Sequence, residues 1–249
     1  MRTARLTATG RDPVVLVAHG SRDLRAAEAT RALARAVAAV RPDVPVRPSW
    51  LDHTDPGPTE VLRDLAAAGH RRAVLVPLLL TAAYHRRVDI PAAVAAAGDA
   101  PDPLTVRVTE VLGPACGAVD AGLLDALGRR LAPAADFDAL VLAAAGTRDA
   151  PARASVGRVA AAMADRYAVP CRIAYASAGS PDVGRAVARL RAAGARRVAV
   201  SAYFLAPGYF HDAVTAAADA AGVVTVAAPL TDVPELVDLV LRRIDSTPE

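Results

Sequence analysis

The stretch Val14–Asp23, VVLVAHGSRD, decides how this chain is read. An unbroken run of aliphatic residues predicts a strand covered on both faces, as in a parallel sheet. Ala-His-Gly-Ser then ends the run abruptly. Gly20 lets the backbone turn without a Cβ clash, and Ser21 or Asp23 can cap a following helix. Open parallel sheets bind ligands beyond the carboxyl ends of their strands, which places His19 at a site rather than in the core.

Working outward, Asp23–Val40 carries Ala, Leu and Arg at helical spacing and is closed by Pro42. Val44–Leu51 reads as a second strand, Thr59–Ala68 as a helix ending at Gly69, and Ala73–Val76 as a third strand. Pro77 cannot donate to a central ladder, so residues Pro77–His85 read as strand end and loop. A helix over Asp89–Ala97, a fourth strand over Leu104–Val111 and a helical bridge over Gly113–Leu131 follow.

Beyond Pro133 the pattern begins again. Leu140–Met163 lies over Val14–Val37, setting Ala145-Gly146-Thr147-Arg148-Asp149 on His19-Gly20-Ser21-Arg22-Asp23. AGARRVAVSAYFLAPGYFHDAV from Ala193 lies over AGHRRAVLVPLLLTAAYHRRVD from Ala68, again about 125 residues on. Alternating strands and helices repeated in this way predict an α/β protein of two similar doubly wound parallel-sheet halves, related by duplication around a central cleft. The expected division is 1–112 for the half carrying the site, 113–135 for a connecting helical segment and 136–249 for a degenerate half. The halves differ chemically: Ala145 stands where the first half has His19, and Phe210, followed by His211, where it has His85.

Composition narrows the function classes. The chain is 53% apolar and 22% charged, as globular proteins are. Its longest apolar run, near Ala73–Tyr84, is too short to cross a bilayer, and MRTARLTATGRD lacks the apolar core of a signal peptide, so a cytoplasmic location without membrane contact is expected. A net charge of +3 with arginines interleaved among acids, and 4% aromatics, argue against nucleic acid. Every basic residue among the 29 is arginine, which removes a P-loop lysine and any lysine Schiff base; no GxGxxG occurs, so no nucleotide is expected. Cys116 and Cys171 lie far apart and read as core fillers.

At the strand ends of the first half stand His19, then Asp52 and His53, then His85, each one strand-helix unit from the last. Two imidazoles and a carboxylate suit a divalent first-row metal with open positions, a transfer or catalytic site rather than a closed structural one. His53 reads as a turn neighbour or alternative ligand, and His70 as a solvated residue at a helix end.

AHGSRD (18–23), WLDHTDPGP (50–58) and PLLLTAAYHRRVDIP (77–91) resemble the signature stretches of the sirohydrochlorin chelatase family, the class II tetrapyrrole chelatases of siroheme and cobalamin synthesis, in its two-domain form. The resemblance covers nearly the whole chain. It implies an enzyme, a lyase, that inserts Fe²⁺ or Co²⁺ into sirohydrochlorin without ATP, the metal being a substrate. It makes His19 and His85 the metal-binding and proton-accepting histidines, and Asp52 the site carboxylate. A glutamate commonly stands at the position of Asp52 and a glycine at that of Ala83. The substrate is a polycarboxylate, so Ser21, Arg22, Arg86 and Arg87 are expected to contact it, with Tyr209 and His211 on the far wall. The expected assembly is a monomer or homodimer. Two other readings use the same residues: a metal-binding or delivery protein without catalysis, and a histidine-phosphatase-like enzyme. The latter needs an arginine before its histidine, where this chain has Ala18.

Overall fold

The structure, a computed structural model, describes residues 11–98, 104–114, 117–132 and 136–246. Strand β1 (Val14–Ala18) is flanked by β2 (Val46–Trp50) and β3 (Arg72–Pro77), with β4 (Thr105–Val108) outside β3, all parallel in the order β2-β1-β3-β4. The second sheet repeats this plan with β5 (Ala139–Ala144), β6 (Cys171–Tyr175), β7 (Val198–Tyr203) and β8 (Thr225–Val226), in the order β6-β5-β7-β8. The register repeats as well: Ala18 sits opposite Trp50, and Ala144 opposite Tyr175. Pro77 ends β3 opposite Val17, and Leu78 N resumes the ladder on Val17 O at 2.8 Å, so the missing donor costs one rung at a strand end.

The helices are α1 (Leu24–Val40), α2 (Pro58–Ala67), α3 (Ile90–Gly98), α4 (Ala121–Leu131), α5 (Ala150–Tyr167), α6 (Val183–Ala192), α7 (Tyr209–Ala220) and α8 (Pro234–Asp245). Aspartates start four of them: Asp23, Asp120, Asp149 and Asp182 each accept a backbone N–H of the first turn. Three expected elements differ. Strand four is shorter than the predicted 104–111, and the bridge turns helical only at Ala121, after its Asp120 cap. The helix expected from Asp89 begins earlier, as a π turn over His85–Asp89. Pro91 has no N–H to give to Arg87, and the chain crosses that gap with Ile90 N bonding back to His85 O.

Alternation along the strands sorts the core into layers. Val15, Val17 and Leu75 face outward under α2 and α3, against Leu62, Leu65 and Ile90. Val14, Leu16, Val74 and Val76 face inward, into one continuous cluster with Leu33 and Val37 of α1, Leu123 and Leu127 of α4, Val156 and Val159 of α5, Leu236 and Leu239 of α8, and Leu140 and Leu142 of the second sheet. Val141, Ala143 and Val200 face the far side, under α6 and α7. The halves therefore share their central helical layer. The Tyr203 hydroxyl at the end of β7 donates to Leu80 O beyond β3 at 3.0 Å. No helix among the described residues is long and apolar enough to cross a membrane. Cys116 lies outside the described residues. Cys171 is half-buried, and burial pushes its thiol up to about 12.

Gly20 is where β1 and β2 release their chains toward the site. Its φ is +96°, and a Cβ there would lie 1.7 Å from Asp52 O. Gly69 has a similar φ of +92° but opens on empty space. Gly20→Ala should therefore cost about 3 kcal/mol or more, against about 1 kcal/mol for Gly69→Ala, measured by urea unfolding; equal losses would show that close packing at Gly20 is unimportant. Mass-spectrometric mapping after iodoacetamide at pH 8 should find Cys171 unmodified in the native protein, since its thiolate is scarce there.

Candidate metal and substrate site

Three segments converge at the carboxyl ends of the first sheet. His19 follows β1, and Asp52 N bonds to His19 O at 2.9 Å, tying the two strand ends together. The Asp52 carboxylate lies 3.9 Å from His19 Nδ1. His85 opens the π turn, with its ring centroid 4.2 Å from that of His19 and the planes inclined at 51°. The loop after β3 thus brings together two imidazoles that lie far apart in sequence. Both remain accessible, the His19 side chain at 52% and the His85 side chain at 30%.

His85 Nδ1 stands 2.5 Å from Asp89 Oδ2, one π turn further on. A carboxylate accepts, so in the neutral ring this contact places the His85 proton on Nδ1 and the lone pair on Nε2, the tautomer a metal ligand needs. Asp89 is a partner of His85 that sequence reasoning missed. The signal was present as an i, i+4 His/Asp pair, but residues 77–85 read as loop, which hid the shared helical face.

Beyond His19 a cavity of about 680 Å³ opens between the halves. Gly20, Ser21, Arg22, α1 and Trp50 line one side, and residues 204–212 with Thr231 the other. His53 lines it too, from a left-handed backbone with φ 61°. Tyr209 and His211 are on the far wall. His211 Nε2 donates to Ala227 O at 3.3 Å, and its ring meets Phe204 edge-on at 6.0 Å. Asp52 and His85 are not part of this lining, so the histidine pair sits at the cavity's edge with only His19 facing in.

The expected substrate contacts separate. Ser21 Oγ accepts from Asp23 N at 3.1 Å and shapes the turn. Among the described residues Arg22 and Arg86 have no ion-pair partner, and Arg86 Nε is buried without a hydrogen bond. Arg87 is already engaged: it pairs with Asp149, the N-cap of α5 in the other half. The Ala152 N–H and the Arg87 guanidinium hold the Asp149 carboxyl below its usual range. At the opposite end of the cleft Arg25 bonds Asp23 and reaches Asp212 of α7 at 2.6 Å. Among the described residues no group of three His, Cys, Asp or Glu side chains is arranged to enclose an ion.

The CbiX family model matches residues 13–132 and, a second time, 139–247. The chain belongs to the CbiX family. Each half of this CbiX chain corresponds to one copy of the family's unit, which gives the internal repeat its meaning. Among curated proteins none matches the sequence. Among solved structures, SirB from Bacillus subtilis with Fe³⁺ superimposes with a TM-score of 0.82 at 18% identity, covering 95% of each chain. The sirohydrochlorin chelatase SirB from Bacillus subtilis subspecies spizizenii in complex with cobalt gives 0.77 at 19% identity, over 95% of this chain and 94% of that one. A CbiX described as the terminal enzyme for biosynthesis of siroheme in denitrifying bacteria gives 0.69 at 22%, over 95% of this chain and all of that one. These similarities establish that this CbiX chain has the chelatase fold.

Asp89→Ala should weaken Co²⁺ binding by about 10- to 100-fold while leaving the circular dichroism spectrum unchanged. Unchanged affinity in a Co²⁺ titration would remove Asp89 from any role in presenting His85.

Proposed function

We propose that this chain is an ATP-independent sirohydrochlorin chelatase that inserts Fe²⁺ or Co²⁺ into the macrocycle, in siroheme or cobalamin synthesis. The observation that carries this reading is the contact of two accessible imidazoles, 4.2 Å apart, at the edge of a 680 Å³ cavity shared by both halves. The SirB structures with Fe³⁺ and with cobalt support it, as does membership of the CbiX family.

The chemistry follows from the groups present. Insertion needs an ion held loosely enough to be given up and a base for two pyrrole N–H protons. Neutral His85 offers its Nε2 lone pair, neutral His19 one ring-nitrogen lone pair, and Asp52 a nearby carboxylate. Three such donors with no closed cage suit a substrate ion that must leave. The macrocycle enters the cavity beside His19. Arg22 and Arg86, neither of them paired with a carboxylate among the described residues, are the guanidinium groups available to its acid side chains, with Ser21 beside them; Arg87 would have to exchange Asp149 for a substrate carboxylate. As the ion moves to the ring nitrogens, each released imidazole accepts a proton, so metal dissociation and deprotonation use the same nitrogen lone pairs. Tyr209 and His211 form the opposite wall. On this reading residues 1–112 carry the metal site, 113–135 connect, and 136–249 close the cavity; no nucleotide, nucleic acid or membrane takes part, and a cytoplasmic monomer or homodimer suffices.

The test follows the absorbance of sirohydrochlorin with Co²⁺ or Fe²⁺. The intact protein should accelerate metallation, and His19→Ala and His85→Ala should each lower the rate about 10²-fold or more. The rate should fall as the pH drops below about 6, because protonated imidazole neither ligates nor accepts a proton. Stoichiometric Co²⁺ binding without faster metallation would replace the enzyme by a metal-delivery protein, and turnover of a generic phosphate ester would favour the phosphatase reading.

A further inference from the structure

The internal repeat allows the two lips of the cleft to be compared residue by residue. The metal-binding set occurs once: His19 and His85 correspond to Ala145 and Phe210. A second set occurs twice. Tyr84 precedes His85 as Tyr209 precedes Phe210, and Arg22 precedes the N-cap Asp23 as Arg148 precedes the N-cap Asp149. Both tyrosines are exposed, at 62% and 78%; Tyr209 and Arg22 belong to the cavity lining, while Tyr84 and Arg148 stand outside it on the other lip. Tyr84 meets the His85 ring edge-on at 6.2 Å, and Tyr209 lines the cavity. Among the described residues neither Arg22 nor Arg148 has an ion-pair partner, whereas the neighbouring Asp23 and Asp149 are held by Arg25 and Arg87.

The second half thus lacks the groups that touch an ion and has the groups that suit a flat ring bearing carboxylates. Aromatic rings stack on extended π systems, and guanidinium groups pair with carboxylates bidentately. We propose that Tyr84 and Arg148, in pseudo-two-fold relation to Tyr209 and Arg22, complete a two-sided seat for the macrocycle. The tyrosines hold the ring from the two lips, and the arginines take carboxylates on opposite edges. This rests on the chelatase reading and adds that the second half is a working part of the substrate site.

The full-length protein is titrated with metal-free sirohydrochlorin, followed by macrocycle fluorescence, and separately with Co²⁺ alone, followed by ligand-field absorbance. Tyr84→Ala and Tyr209→Ala should each weaken macrocycle binding about five- to tenfold, with Tyr84→Phe and Tyr209→Phe restoring it. Arg148→Gln should weaken it by a similar factor, the loss shrinking at high salt. Co²⁺ affinity should be the same in every variant. Macrocycle binding unchanged in the alanine variants overturns the seat and leaves the chelatase reading intact. A parallel loss of Co²⁺ affinity in Tyr84→Ala also overturns it, since Tyr84 would then be a support for His85. An intact protein that binds Co²⁺ but takes up no macrocycle overturns the chelatase reading and the seat together.

Discussion

The apolar layer shared by the two sheets is the constraint from which the rest follows. Leu16, Val74 and Val76 of one sheet and Leu140 and Leu142 of the other pack into a single cluster through α1, α4, α5 and α8. Neither sheet could bury its inner face alone, and exposing such a layer would cost on the order of 25 cal/mol for each Å² of apolar surface. Because both sheets are parallel and covered from the same middle layer, their carboxyl ends border one cleft. The candidate site lies there because every strand of each half delivers its following loop to that region.

Within that frame the site depends on how closely β1 and β2 release their chains. Gly20 lets the β1 loop lie against the Asp52 carbonyl, which sets Asp52 beside His19. The loop after β3 then returns over them, and its π turn puts His85 and Asp89 on one face. Nothing in this arrangement closes around an ion. Accessible imidazoles at a cavity edge are what a site for handing over a cation requires, whereas a buried cage would hold it.

Much of this was legible in the chain itself. The aliphatic run ending in His-Gly-Ser marks β1 and the loop that carries His19, and the repeat of HGSRD as AGTRD announces the second half. Features that depend on a single short range were also readable, such as the aspartate caps of α1 and α5. What escaped depends on geometry that pattern does not carry. Asp89 could be paired with His85 only once residues 85–89 were known to be helical, and Pro91 points away from that reading. Arg87 looks like a substrate ligand beside His85, yet its partner Asp149 belongs to the other half, 62 residues away. Arg25 likewise reaches Asp212 at a separation of 187 residues. Long-range ion pairs leave no periodic trace, because one charge on each element satisfies them.

The Tyr203–Leu80 hydrogen bond has a mechanical consequence. The phenol is buried, and Gly113 passes so close that a Cβ there would sit 1.9 Å from Leu80 O and 2.7 Å from the phenol oxygen. Three segments from both halves meet at this point with no room for an added methyl group. Toward the rim the halves are joined instead by solvent-exposed pairs, Arg25–Asp212 and Arg87–Asp149, of a kind that contributes about 0–1 kcal/mol each. The halves are therefore packed tightly at the floor of the cleft and joined only by surface ion pairs toward its rim. On the chelatase reading proposed above, a bulky ring would enter where the contacts joining the halves are weakest.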